Sequence, residues 1–108
     1  MVETLGCIEQ IKNIIISEVD PDRIILFGSR SRGDFREDSD FDILILKKNL
    51  QNERKVTSHL YLEFYKRRLN ISVDLIAADT DKYDKLADIT GYIYKVIKRE
   101  GKTIYERT

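Results

Sequence analysis

Hydrophobic positions along this chain fall into two kinds of segment. In three long segments they recur every three or four residues, which predicts amphipathic helices with one buried side. These segments are residues 5–16, 52–69 and 81–99. In three short segments the apolar residues are consecutive and mostly branched, which predicts buried strands. These segments are residues 24–27, 40–46 and 71–77.

The order of these segments predicts the fold class. Reading along the chain gives helix, strand, loop, strand, helix, strand and helix, so we expect an α/β (α+β) fold in which helices cover a small mixed sheet. The last helix is expected to be continuous to a C-cap at Gly101, and the residues after it to pack through Ile104 and Tyr105. The apolar face predicted for that helix consists of Tyr83, Leu86, Ile89, Ile93, Val96 and Ile97.

Composition narrows the classes of protein. The 108 residues are enough for a single domain, residues 1–108, with one core. Nineteen basic and nineteen acidic side chains give a net charge of zero, which makes direct nucleic-acid binding an unfavoured hypothesis. One cysteine excludes an internal disulfide, and one cysteine with one histidine cannot build an ordinary zinc site. The sequence has no apolar run of about 18 residues and no secretory signal, so we expect a cytoplasmic protein without membrane contact.

Three aspartates stand in strands where acids are normally avoided. Asp40 and Asp42 are two residues apart and therefore project from the same face, about 6–7 Å apart. Asp74 lies in the third strand, and its apolar neighbours point the other way. If the two strands are neighbours, three carboxylates converge, and their mutual repulsion would destabilise the fold.

A divalent cation would remove this repulsion. Ligation by carboxylate oxygens alone suits Mg²⁺ or Mn²⁺, and three carboxylates can bridge two such ions at about 3.5–4 Å, as in phosphoryl displacement. The alternative is that each acid serves the fold locally, with Asp40 capping a turn, Asp42 pairing with an arginine and Asp74 ending a strand. The combination of the three acids with the turn described next favours the metal site.

The turn after the first strand offers a seat for a phosphate. Gly28 ends the strand and allows the backbone to approach a ligand, while Ser29 offers a hydroxyl and an N–H where a short helix could start. Arg30, Arg32 and Arg36 follow and could neutralise a triphosphate. For these arginines an ordinary solvated loop is an equally good interpretation.

Together these residues resemble a known signature. Residues 26–29, ten intervening residues and then residues 40–42 with the apolar run 43–45 are similar to the motif of the DNA polymerase beta-type nucleotidyltransferase superfamily. Segment 28–43 is especially similar to the minimal nucleotidyltransferases, the MNT antitoxins of HEPN/MNT toxin–antitoxin pairs. The resemblance extends from the first strand to Asp74.

The resemblance implies roles for these residues within a nucleotidyltransferase fold. Asp40 and Asp42 would hold two Mg²⁺ ions, and Asp74 would hold the catalytic ion and help to activate the attacking hydroxyl. Gly28 and Ser29 would bind the phosphates of ATP.

In the antitoxin branch, the implied reaction moves AMP from ATP to a tyrosine of a HEPN toxin ribonuclease, so a hetero-oligomer with that toxin is one expectation. Two alternatives stay open. The chain could be an NTP-binding module that neutralises its partner by contact alone, or it could modify a small molecule or RNA together with another subunit.

Overall fold

A computed structural model describes residues 4–108 of the chain, with side chains from residue 5 onward. This part of the chain contains five helices and four strands. Their bounds are α1 Thr4–Val19, β1 Arg23–Phe27, α2 Ser29–Arg32, β2 Phe41–Lys47, α3 Glu53–Lys66, β3 Val73–Asp79, α4 Thr80–Leu86, α5 Ile93–Glu100 and β4 Lys102–Glu106. Within these described residues, no helix has both the length and the apolar character needed to cross a membrane.

The strands form one mixed sheet in the order β3-β2-β1-β4. Strand β1 pairs antiparallel with both β2 and β4, whereas β2 and β3 are parallel. A parallel pair needs a crossover, and α3 provides it. This confirms the predicted mixed α/β fold, and it makes β2 and β3 the neighbours that convergence of the aspartates requires.

The two faces of the sheet bury two separate clusters. On one face, Phe41, Ile43 and Ile45 of β2 pack with residues of α1 and α3. On the other face, Leu44 and Leu46 pack with residues of α4 and α5. Because side chains alternate along a strand, the position two residues before Leu44 also belongs to the α4/α5 face.

The end of the chain differs from the prediction in one respect. The expected continuous helix over 81–99 is wrong, because α4 ends at Leu86 and α5 begins only at Ile93. Between them Gly91 has a φ of +102°, which a helix does not allow. After this break α5 is rotated, so it buries Tyr94 and Ile97, while Ile93 is 50% exposed.

The residues that close the chain follow the prediction more closely. Gly101 is the C-cap of α5, and its N–H donates to the carbonyl of Ile97 at 2.6 Å. The packing expected of the tail is achieved by β4, which adds a strand to β1, and Ile104 and Tyr105 lie against the α1/α3 core.

Candidate active site

Parallel pairing of β2 and β3 brings the predicted aspartates to one end of the sheet. Asp42 and Asp74 are register partners on adjacent strands, which lie about 4.8 Å apart in a sheet. Asp40 precedes β2 by one residue and is exposed, as is Asp74, whereas Asp42 is partly buried. All three lie at the edge of the α4/α5 face, where solvent and ligands can reach them.

The pKa of Asp42 reflects its burial and the proximity of the other two carboxylates. Burial raises the pKa of its carboxyl group, and the negative charges of Asp74 and Asp40 raise it further. The guanidinium of Arg32 acts in the opposite direction. The site therefore carries more negative charge than its surroundings compensate, a condition that a bound cation would relieve.

Asp40 is hydrogen-bonded to the residue that precedes β3. The hydroxyl of Ser72 donates a short hydrogen bond to Oδ1 of Asp40. The backbone supports this contact, because the N–H of Phe41 donates to the carbonyl of Ser72 at 2.9 Å. Ser72, which sequence reasoning did not single out, thus ties the entrance of β3 to that of β2.

The turn at Gly28 lies directly against Asp42. Gly28 has a φ of +73°, and a Cβ added to it would stand 2.1 Å from Oδ2 of Asp42. Its carbonyl accepts from the N–H groups of Ser31 at 3.0 Å and Arg32 at 3.1 Å, which starts the single turn of α2 at Ser29. Only glycine permits both this conformation and this approach.

The structure separates two arginines that the sequence does not distinguish. The guanidinium of Arg30 donates to the carbonyls of Ser39 at 3.0 Å and Glu37 at 2.9 Å. It also lies between the rings of Phe35 and Phe41, 4.4 Å from each centroid. Arg30 therefore braces loop 33–40, and phosphate binding by this residue stays a prediction.

Arg32, by contrast, borders the carboxylates. Its Nη1 contacts Oε2 of Glu100 at 3.2 Å and its Nε contacts Oδ2 of Asp34 at 3.4 Å. Glu100 and Asp34 both raise the pKa of the guanidinium. The positive charge of Arg32 lowers the pKa of Asp42.

The aspartates have the chemistry of a divalent-cation site. They offer only carboxylate oxygens, which suit Mg²⁺ or Mn²⁺, and their repulsion falls when such an ion binds. A phosphate on the Gly28–Ser29 turn would lie beside an ion held by Asp42. The arrangement can therefore bring a metal and a phosphorylated ligand together at the end of β2.

A second group of potential ligands lies on the opposite face of the sheet. Among the described residues, Glu18, His59 and Glu63 place one ligand atom each within 4.8 Å of one another. Arg67 spans this group, at 2.5 Å from Glu18 and 3.4 Å from Glu63, and Nε2 of His59 lies 2.7 Å from Glu18. We interpret this group as an ion-pair network that joins α1 to α3.

Sequence reasoning missed this network. Positions 59 and 63 of α3 and its C-cap residue 67 are spaced four residues apart, and that spacing alone could have indicated that they share one side of the helix. The contribution of Glu18, 41 residues before His59, requires the tertiary structure.

Most of the chain matches one known protein family. Residues 9–108 match the profile of the family described as "Polymerase beta, Nucleotidyltransferase". The match includes every residue of the aspartate group and of the Gly28 turn.

Two curated proteins of Methanocaldococcus jannaschii are similar over shorter stretches. "Putative protein adenylyltransferase MJ0141" is 62% identical over 29 residues, which are 27% of this chain and 29% of that protein. "Putative protein adenylyltransferase MJ1305" is 47% identical over 58 residues, which are 49% of this chain and 40% of that protein. The matched regions thus span less than half of each relative's length.

Solved structures share the fold at low sequence identity. A crystal structure described as a toxin–antitoxin with AMP-PNP superposes with a TM-score of 0.66 at 21% identity, covering 93% of this chain and 73% of that one. A tri-AMPylated Shewanella oneidensis HEPN toxin in complex with MNT antitoxin gives 0.57 at 20% identity, covering 95% and 71%. At these identities the likeness concerns the fold alone.

Proposed function

Because the chain belongs to the polymerase beta nucleotidyltransferase family, we propose that it is an Mg²⁺-dependent enzyme that transfers AMP from ATP to a tyrosine of a partner HEPN toxin, and so acts as an antitoxin. The observation that carries this proposal is the in-register pairing of Asp42 with Asp74, next to Asp40. A site that only bound a partner would gain nothing from keeping these repelling carboxylates together.

Each residue of the site would have a different role in this reaction. Asp40, Asp42 and Asp74 would hold two Mg²⁺ ions, which supply charge neutralisation for the phosphates and the attacking hydroxyl. Gly28 lets the backbone of Ser29 approach the phosphates, and Arg32 adds a positive charge beside Asp42. The contribution of the protein is mainly position and electrostatics, applied before the acceptor arrives.

Two observations support a protein acceptor. The two relatives from Methanocaldococcus jannaschii both carry the name "Putative protein adenylyltransferase". The structural neighbours include a HEPN toxin that bears AMP groups and is bound to its MNT antitoxin. On this proposal the chain forms a hetero-oligomer with a toxin in the cytoplasm, and ATP is the donor.

Mass spectrometry of the intact partner tests the proposal. We would incubate the product of the neighbouring gene with this protein, ATP and Mg²⁺, and expect the partner to gain the mass of one or more AMP units. Fragmentation of the modified peptides should locate these units on tyrosine. The Asp42→Asn variant should give no gain. Asp38→Asn, which removes an exposed acid of the adjacent loop, is the matched control and should retain activity.

A second candidate is neutralisation by contact alone. Exposed apolar side chains before α5 and at its first residue favour this candidate, since Ile89 is 47% exposed, Tyr92 47% and Ile93 50%. The same experiment separates the two candidates. If the partner stays unmodified but is still bound and neutralised by Asp42→Asn, contact alone is sufficient and the transfer proposal fails.

A further inference from the structure

The end of α5 is attached to the turn that carries Arg32. The buried hydroxyl of Ser31 donates to the backbone carbonyl of Glu100 at 2.7 Å. One residue further along α2, Arg32 contacts the carboxylate of Glu100 at 3.2 Å. Glu100 therefore holds α2 by its main chain and by its side chain, although the two elements are nearly 70 residues apart in sequence.

The contacts of Arg32 leave part of its guanidinium available. Nη1 is held by Glu100 and Nε by Asp34, whereas Nη2 makes no hydrogen bond to another described residue. Arginine has five N–H donors in a rigid plane, so fixing two nitrogens also fixes the direction of the third. The side chain of Glu100 is 25% exposed and that of Asp34 is 63% exposed, which makes Glu100 the firmer of the two partners.

We propose that Glu100 is a positioning residue for nucleotide binding, whose carboxylate holds the guanidinium of Arg32 beside Asp42 so that Nη2 can donate to a phosphate of the nucleotide. This inference rests on the proposed function, because it assumes that a nucleoside triphosphate occupies the site. A guanidinium that is already oriented loses less side-chain entropy when the phosphate binds.

Steady-state kinetics with ATP as the varied substrate is the first test. For Glu100→Ala we expect KM for ATP to rise about 5-fold or more, with kcat within about 2-fold of the wild type. Glu100→Asp should recover part of the loss because it keeps the charge. Glu106→Gln removes an exposed acid of β4 and serves as the matched control, with no change expected. An unchanged KM for Glu100→Ala would overturn the proposal.

A double-mutant cycle shows whether Glu100 acts through Arg32. In an Arg32→Ala background, Glu100→Ala should raise KM no further, because the group that it positions is gone. An equal rise in both backgrounds would mean that Glu100 supports the fold in general, which overturns the proposal. Glu100→Gln, which keeps the backbone bond to Ser31 and nearly the same shape, replaces Glu100→Ala if that variant does not fold.

Calorimetric titration of ATP with Mg²⁺, in the absence of any partner, separates this inference from the proposed function. If the wild type transfers no AMP but Glu100→Ala weakens ATP binding only when Arg32 is present, Glu100 has the proposed role and the transferase proposal fails. If the wild type binds no ATP, both fail.

Discussion

Two groups of acidic side chains lie on opposite faces of the same sheet, and their electrostatics have opposite signs. At the entrance of β2 and β3, burial and the charges of Asp74 and Asp40 raise the pKa of Asp42. Between α1 and α3, a hydrogen bond from His59 lowers the pKa of Glu18, and the charge of Arg67 lowers it further. Acids are crowded in both places, but only the second group contains its own cations.

The difference shows which group serves the fold. The chain contains 19 basic residues, and one of them, Arg67, forms ion pairs with both Glu18 and Glu63. Arg32, by contrast, lies beside the aspartates but forms its ion pairs with two other acids. Crowded like charges normally destabilise a fold unless opposite charges compensate them. A group of acids that lacks this compensation, in a protein that provides it elsewhere, indicates a function for that group.

The largest predicted effect separates the two groups by activity. Asp42→Asn should reduce AMP transfer by roughly 10³-fold, because in the proposed mechanism it removes a negative charge that would hold Mg²⁺. Glu18→Gln should leave transfer within about 2-fold. Both rates are measured from the time course of partner modification. If Glu18→Gln were as inactive as Asp42→Asn, the division into a functional and a structural group would be wrong.

Removal of the metal should act on the same group. With EDTA we expect transfer to stop, and excess Mg²⁺ should restore it. Mg²⁺ at 100 times its Kd should stabilise the wild type by about 2.7 kcal/mol, and a thermal melt would show this as a higher Tm. The shift should vanish in Asp42→Asn and persist in Glu18→Gln. A shift that followed Glu18 instead would place the ion in the α1/α3 network.

Substituting Gly28 tests how closely the turn approaches Asp42. In Gly28→Ala, a backbone conformation that essentially only glycine adopts (φ +73°, ψ −159°) combines with a clash against Oδ2 of Asp42, so we expect a loss of roughly 2–4 kcal/mol in the free energy of unfolding. Gly33→Ala is the matched control, since its φ is +90° but a Cβ there meets nothing within 4 Å. The control should lose only about 1–2 kcal/mol. If denaturant titrations give the same loss of unfolding free energy for both variants, the clash with Asp42 does not contribute to it.

Much of this site could be predicted from local sequence. The branched apolar runs fix β2 and β3, and the spacing of Asp40 and Asp42 places them on one face whatever the topology. The parallel pairing that sets Asp74 opposite Asp42 depends on the tertiary structure. From the sequence, convergence of the aspartates could be predicted only on the assumption that the two strands are neighbours. The distinction between Arg30 and Arg32 was also hidden, because it depends on the rings of Phe35 and Phe41 and on Glu100.

The break before α5 shows where periodicity misleads. Ile89, Ile93 and Val96 have helical spacing, and that pattern alone predicts one continuous buried face. Gly91 interrupts the helix, and the three side chains remain exposed to between 41% and 50%. An isolated glycine in a helical pattern lowers the case for continuity, and here it should have weighed more than the spacing.

The smallest predicted effect is on thermal stability. Asp42→Asn, which is the more damaging substitution for activity, should be the less damaging one for stability. Without metal, Asp42→Asn should raise Tm by about 2 °C, because a neutral amide relieves the repulsion from Asp40 and Asp74. Glu18→Gln should lower Tm by a similar amount, because it removes the partner of His59 and Arg67. Differential scanning calorimetry at pH 7 in EDTA measures both.

The pH dependence of these two differences provides the sharper measurement. The pKa of Asp42 is raised in the folded state, so the wild type gains stability as pH falls from that raised value towards the ordinary 3.8, and its disadvantage against Asp42→Asn should disappear there. The pKa of Glu18 is lowered, so its stabilisation is complete above the ordinary 4.5 and is lost as pH falls through the lower folded value. Both differences therefore shrink in acid but from opposite signs. If the Asp42 difference instead grew as the pH was lowered, its carboxylate would be stabilised in the fold, and the contrast between the two groups of acids would not hold.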